Sequence, residues 1–225
     1  MAEDASVERA LESVAVELRA TLEGTNRARE EALRASRETI QYASRTIRAV
    51  HRGEMEAART LANEARARVQ AVKSTLADHP SLFHAGYVHD SQKEYVEAEA
   101  MLAIVNQQPL PSHTDLGVEP AAYLNGMAEA ASESRRYVLD RLRLGDMERA
   151  DAVLKIMDDI CYELVTFDFP DAITGGLRRT TDALRAVLER TRGDLTLTFS
   201  QRRLETAIQR AAELSAPELD TRPPR

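Results

Sequence analysis

Two glutamates three residues apart, Glu94 and Glu97, stand in a segment that otherwise has the pattern of a buried helix. On a helical wheel of 100° per residue, the apolar side chains from Phe83 to Val105 gather on one face, and Glu94 falls near its centre. Glu97 lies one turn further along and about 60° round the helix. A buried carboxylate is costly unless it is paired, and two at this spacing repel unless a proton or a cation lies between them. The spacing therefore indicates an ion pair with an arginine, a shared proton or a divalent metal site.

A cluster of carboxylates would suit Mg²⁺, which prefers oxygen ligands and keeps several waters. Such a site can activate an attacking oxygen and stabilise phosphate charge during phosphodiester cleavage. Other kinds of site are disfavoured. The sequence has no His-Glu-x-x-His or Cys-x-x-Cys zinc motif, no Glu-x-x-His pair of the di-iron bundles, and no Gly-x-Ser-x-Gly or P-loop motif.

Composition narrows the class of protein. The chain has 225 residues, a net charge of −7 and one cysteine, so no disulfide can form within it. No apolar run approaches the roughly 20 residues of a membrane helix, and the first residues lack the pattern of a signal peptide. We therefore expect a cytoplasmic protein without a membrane partner. Only three of the 30 basic residues are lysines, and the other 27 are arginines.

Helix-forming residues dominate the sequence, and β-branched alternation is rare. The 3.6-residue periodicity predicts an all-α fold of seven long helices in a single domain over residues 1–214. Their predicted ranges are about 6–50 with a kink or break at Gly24, 54–77, 81–106, 120–144, 146–167, 170–193 and 201–214. Residues 215–225, with three prolines, are predicted to be a disordered tail. Long helices in one layer leave apolar faces uncovered, which predicts self-association.

Six short blocks give the sequence a resemblance to a known family. It resembles the translin/TRAX family, and in particular archaeal translin-type RNA-binding proteins, over about residues 25–195. The blocks, in order, are Arg29-Glu30-Glu31, His51-Arg52-Gly53, Lys93-Glu94-Tyr95-Val96-Glu97-Ala98, Tyr123-Leu124-Asn125-Gly126, Gly145-Asp146 and Leu177-Arg178-Arg179.

The resemblance implies a seven-helix fold that assembles into a hollow homo-octamer and binds single-stranded RNA or DNA on its inner surface. The TRAX branch is a magnesium-dependent endoribonuclease. By resemblance, Glu94, Glu97 and Glu129 would be the metal ligands, with Mn²⁺ as a substitute for Mg²⁺, and Glu133 would complete the catalytic set. Glu129 replaces the aspartate of the active branch. A translin-branch chain would have non-acidic residues at the first three positions, so this chain is similar to the active branch.

Basic residues on three predicted helices are the candidates for contact with nucleic acid. Such contacts to the phosphate backbone would be independent of sequence and sensitive to salt. Alternatively, each of these residues is a solvent-facing partner in an ion pair. The candidates are Arg34, Arg37, His89, Lys93, Arg178, Arg179 and Arg185.

The wheel of the fourth predicted helix conflicts with the proposed ligand set. Glu129 and Glu133 lie roughly opposite its apolar stripe, which includes Met127, Ala131 and Val138. They can join Glu94 only if this helix is contacted on both faces. The sequence therefore leaves three functions open: a metal-dependent endoribonuclease, a non-catalytic binder of single-stranded RNA or DNA, and a protein scaffold.

Overall fold

Six long helices and three single-turn helices follow one another in the computed structural model, which describes residues 2–215 and the side chains of residues 7–214. No strand occurs within that range. The helices are α1 (Ala2–His51), α2 (Met55–Thr75), α3 (Pro80–Phe83), α4 (Gly86–Asn106), α5 (His113–Leu116), α6 (Pro120–Arg143), α7 (Met147–Val165), α8 (Asp171–Thr174) and α9 (Leu177–Ser215).

The all-α prediction is confirmed, and the helix boundaries differ in several places. The predicted third helix, 81–106, is divided into α3 and α4. Helix α1 runs through Gly24 without a break, because Gly24 has no positive φ and its only close neighbour among the described residues is the flexible end of Arg27, 3.9 Å from where a Cβ would lie. The predicted sixth helix is divided into the single turn α8 and the first part of α9, and α9 continues without a break through the predicted seventh helix. The predicted interruption between these two predicted helices contains Leu195, which is buried against the core and keeps the segment helical. Of the predicted tail, residues 216–225 lie outside the described part of the chain.

Helices α4 and α6 form the centre of the bundle. Helix α4 packs against α1, α2 and α6, and α6 also packs against α7 and α9. Helix α4 is consequently buried on most of its surface rather than along the single stripe that the wheel predicts. Helices α4 and α6 run in the same direction, since Lys93 contacts Glu129 and Met101 contacts Ser134 further along.

Gly126 allows α6 to lie directly on α4. A Cβ atom at this position would be 2.6 Å from the backbone oxygen of Lys93 and 2.6 Å from the Cβ of Val96. Ala122, one turn earlier on the same face, is fully buried. These small residues explain why α6 is contacted on two faces, and this contact brings Glu129 towards Glu94.

The two ends of the chain extend as helices with exposed apolar side chains. The first half of α1 and the second half of α9 have no neighbouring element over most of their length. No helix in the described part of the chain is long and apolar enough to cross a membrane. The exposed apolar side chains are Val7, Leu11, Val14, Val16, Leu18 and Leu22 on α1, and Leu197, Phe199, Leu204, Ile208 and Leu214 on α9.

Candidate metal centre

Three carboxylates from two helices meet at the contact between α4 and α6. One oxygen of each of Glu94, Glu97 and Glu129 lies within 4.8 Å of the others, and all three side chains are half-buried. Glu94 and Glu97 come from successive turns of α4, and Glu129 lies one turn after Gly126 on α6. The structure thus brings together the three residues that the sequence proposes as metal ligands.

Lys93 is the nearest cation to this cluster. Its Nζ donates a hydrogen bond of 2.8 Å to Oε1 of Glu129. Among the described residues, Glu94 and Glu97 form no ion pair. The arginine-paired buried acid that the sequence allows for Glu94 is found instead at Glu99, which accepts a hydrogen bond of 2.9 Å from Arg59. Three carboxylates therefore share one lysine.

Burial and nearby negative charge raise the pKa values of Glu94 and Glu97. Burial, followed by the charges of the three neighbouring glutamates, raises the pKa of Glu97 from 4.5 to about 8. Burial and then the charge of Glu129 raise the pKa of Glu94, although Lys93 opposes this shift. Burial lowers the pKa of Lys93, but its hydrogen bond to Glu129 and the nearby negative charges outweigh that effect and raise it. The protein alone thus leaves negative charge here uncompensated.

Glu133 lies one turn beyond Glu129 and has a different partner. Its Oε1 is 2.7 Å from Nε2 of His51, at the end of α1. The His51 side chain is only 2% exposed, and its Nδ1 is buried without a hydrogen-bond partner among the described residues. Glu133 is still close enough to Glu97 for its charge to raise the pKa of that carboxyl. It therefore borders the three-carboxylate cluster without supplying one of the three converging oxygens.

The donor set fits a hard divalent cation. Oxygens bound at about 2.1 Å to an octahedral Mg²⁺ lie about 3.0 Å apart when they are adjacent and about 4.2 Å apart when they are opposite. Three oxygens that lie within 4.8 Å of one another therefore reach such positions by shifts of about 1 Å each. All three donors are carboxylates, as Mg²⁺ and Mn²⁺ prefer. A bound cation would also remove the repulsion that raises the pKa of Glu97.

The seven predicted nucleic-acid contacts do not form one group. Lys93 is bound to Glu129, and the half-buried His89 packs against Gly175 at the turn between α8 and α9. Arg34, Arg37 and Arg179 are exposed on α1 and α9. Two others line a separate cavity of about 850 Å³ between the end of α7 and the start of α9, namely Arg178 and Arg185.

His51 is the residue of this site that the sequence does not indicate. It lies 82 residues from Glu133 and has no distinctive spacing to another histidine or acid. Of the two alternatives that the helical wheel leaves for Glu129 and Glu133, the structure shows the second: α6 is contacted on more than one face, and both side chains are half-buried. A possible signal for such a contact is the small residue Gly126 one turn before Glu129.

The raised pKa of Glu97 predicts how the stability of the metal-free protein depends on pH. The folded state binds this proton more tightly than the unfolded chain, so the free energy of unfolding falls as pH rises from about 4.5 to about 8 and then levels off. Replacing Glu97 by glutamine removes this loss of stability at high pH, because glutamine does not ionise. We expect the melting temperature of the variant in EDTA to exceed that of the wild type by about 4 °C or more at pH 8.5, and to approach it near pH 5.

The matched control for this measurement is Glu163→Gln, at an exposed glutamate of α7. Its melting curve should follow the wild type at both pH values. Equal melting temperatures of Glu97→Gln and wild type at pH 8.5 would show that Glu97 is not strained by burial and repulsion.

Two solved structures of AfC3PO are similar to this chain. Both have a TM-score of 0.77 and 34% sequence identity over 83% of this chain and 96% or 97% of the other, and one is a complex with duplex RNA. The chain belongs to the translin/TRAX family. The family assignment agrees with the sequence blocks and with the all-α fold.

Two further comparisons extend this result. An uncharacterised protein of Methanocaldococcus jannaschii is 31% identical over 175 residues, which are 77% of this chain and 77% of that protein. The structure of apo-NeC3PO shares the fold, with a TM-score of 0.74 at 19% identity over 81% of this chain and 95% of the other. No protein-family model matches the sequence.

Proposed function

We propose that this protein is a divalent-metal-dependent endoribonuclease that binds single-stranded RNA and cuts its phosphodiester backbone at the α4–α6 contact. The observation that supports it is the convergence of Glu94, Glu97 and Glu129 within 4.8 Å, where Lys93 is their one ion-pair partner among the described residues. An acidic cluster alone would repel RNA. A cation held by the cluster makes the site both compatible with phosphate and chemically competent.

RNA is the favoured substrate because the family relative AfC3PO has been solved with duplex RNA. The resemblance to translin-type proteins favours single strands, and single-stranded DNA is a second ligand under the same proposal. A strand that enters the site must pass half-buried carboxylates between two helices. An extended single strand fits such a site more easily than a rigid duplex.

The residues of the site have distinct roles in this proposal. Glu94, Glu97 and Glu129 would hold Mg²⁺ or Mn²⁺, and the ion would supply water activation and charge stabilisation on the phosphate. Lys93 orients Glu129 through its hydrogen bond of 2.8 Å. His51 orients Glu133 through Oε1, and the other oxygen, Oε2, has no hydrogen bond among the described residues. Glu133 can therefore accept a proton from an attacking water at Oε2.

One observation favours a second function, a binder that does not cut. The ammonium group of Lys93 forms an ion pair with Glu129. It can therefore offset part of the negative charge that a metal ion would otherwise offset. If this ion pair persists in solution, the cluster would hold no metal. The assembly would then only bind single-stranded RNA or DNA.

Incubation of labelled single-stranded RNA with the purified protein distinguishes the two functions. The nuclease proposal expects cleavage in Mg²⁺ or Mn²⁺ and none in EDTA. Retained binding without cleavage in either condition would support the binder. If the protein does not cut the RNA and does not bind it in a filter-binding assay either, only the scaffold function remains.

We also propose self-association into a closed oligomer, with an octamer as the state that the family resemblance implies. The exposed stripes on α1 and α9 support it, because apolar side chains in such rows are normally covered by a partner. Light scattering should give a mass several times 25.0 kDa for the wild type and a smaller one for Leu11→Glu combined with Leu18→Glu. A wild-type mass equal to one chain would contradict the proposal. The cytoplasmic location stays a prediction.

A further inference from the structure

Helix α1 and the turn that follows it carry a row of exposed arginines, which we call the arginine stripe and define as Arg34, Arg37, Arg45 and Arg48 on the helix and Arg52 in the turn. With Gln41 in the gap, the spacings along the row are three, four, four, three and four residues, which keep every member on the same side of a helix. The row is about 27 Å long at 1.5 Å per residue. The one acidic residue between the ends of the row, Glu38, accepts a hydrogen bond from Arg68 of α2.

Most arginines of the stripe have no acidic partner in the part of the chain that the structure describes. Some other arginines of the bundle pair with acids on a neighbouring helix, as Arg135 contacts Asp194 at 2.8 Å and Arg192 contacts Asp158 at 3.1 Å. Within the described residues, only one member of the stripe forms an ion pair, Arg52 with Glu54. The remaining four guanidinium groups keep their donors for a ligand.

The stripe ends beside the candidate metal centre. His51, which contacts Glu133 at 2.7 Å, lies between the last two arginines of the stripe in sequence. Glu133 is close enough to Glu97 for its negative charge to raise the pKa of the Glu97 carboxyl. The last turn of α1, where the stripe ends, therefore lies at the border of the metal centre, and a strand that leaves the carboxylates past Glu133 would pass close to it.

We infer that the arginine stripe is the surface along which the phosphate backbone of single-stranded RNA lies as it leaves the metal centre. This inference rests on the proposed function. Guanidinium groups bind phosphate with paired hydrogen bonds, and a row of them follows a chain of phosphates without reading bases. The exposed residues along this row are the five arginines and Gln41, so binding here would not use aromatic side chains stacked on bases.

The test measures RNA binding when two central arginines lose their charge. In a Glu97→Gln background with EDTA, where no cleavage can occur, Arg45→Gln combined with Arg48→Gln should weaken binding of a labelled oligouridine about tenfold. The slope of log Kd against log salt concentration should fall by about 1.4, because each lost contact to a single strand removes about 0.7. Arg45→Lys with Arg48→Lys, which keeps both charges, should restore most of the slope.

A control variant removes two exposed positive charges on the other side of the bundle, Lys155→Gln with Arg190→Gln on α7 and α9. It should change the dissociation constant by less than twofold, and all variants should melt within about 2 °C of the Glu97→Gln parent. The inference would be overturned if the control pair weakened RNA binding as much as the stripe variant does, or if the stripe variant kept the salt-dependence slope of the parent. Neither result would contradict the proposed function. If the parent binds no oligouridine, both the proposed function and the stripe are wrong.

Discussion

Replacing Glu97 by glutamine should reduce metal-dependent RNA cleavage roughly a hundredfold or more. Loss of a group that only supports a metal ligand commonly costs 10- to 100-fold in affinity or activity, and removal of a ligand costs at least as much. Glu97 is the carboxylate most strongly affected by its acidic neighbours, since burial and those charges raise its pKa to about 8. Its loss should therefore weaken cation binding more than the loss of an exposed acid.

The cleavage assay should compare initial rates of wild type and Glu97→Gln in saturating Mn²⁺, with binding of the same RNA measured in EDTA. The variant should keep wild-type binding, which separates a catalytic defect from misfolding. The exposed Glu163→Gln variant should cut at the wild-type rate. A Glu97→Gln variant that cuts within threefold of the wild type would remove Glu97 from the metal site.

Replacing Gly126 by alanine should destabilise the fold by about 2–3 kcal/mol and disrupt the metal centre. The new Cβ would lie 2.6 Å from the backbone oxygen of Lys93 and 2.6 Å from the Cβ of Val96, a separation that real Cβ atoms essentially never show. Neither atom is the end of a flexible side chain, so α4 and α6 must move apart. Because Lys93 and Val96 flank Glu94 and Glu97, that movement changes the distances between the ligands.

Thermal unfolding and cleavage of the Gly126→Ala variant can be measured against Gly193→Ala. Gly193 lies within α9 and has open space where a Cβ would stand, so alanine there should stabilise the helix by about 0.5–1 kcal/mol. The two substitutions are chemically identical, yet they should change the stability of the protein in opposite directions. Wild-type stability and cleavage in Gly126→Ala would mean that α4 and α6 are less closely packed than the structure indicates.

Most of the fold follows from local patterns in the sequence. The periodicity that predicts helices near Glu54, Pro120 and Asp146 gives boundaries close to those of α2, α6 and α7. The missed continuity of α9 has a tertiary cause. The polar and β-branched residues after Gly193 disfavour an isolated helix, but Leu195 is 3% exposed in the core, and the hydroxyl groups of Thr196 and Thr198 bond to carbonyls four residues earlier.

The candidate site was only partly predictable, for a similar reason. The spacing of Glu94 and Glu97 on a buried helix is a local signal, and it correctly indicates a cluster of acids. The positions of Glu129 and Glu133 depend on how α6 lies against α4, which the helical wheel does not represent and the family resemblance supplies. The contact of His51 with Glu133 and that of Lys93 with Glu129 depend on which rotamers fit between packed helices, information that the spacing of residues along the chain does not contain.

The central claim is that carboxylates from α4 and α6 hold one divalent cation. A crystal soaked in Mn²⁺ and measured at the manganese absorption edge tests it most directly. We expect an anomalous peak about 2.1 Å from oxygens of Glu94, Glu97 and Glu129. The same soak of Glu97→Gln crystals should show a weaker peak or none. A wild-type map without a peak, in which Lys93 still lies on Glu129, would contradict the claim.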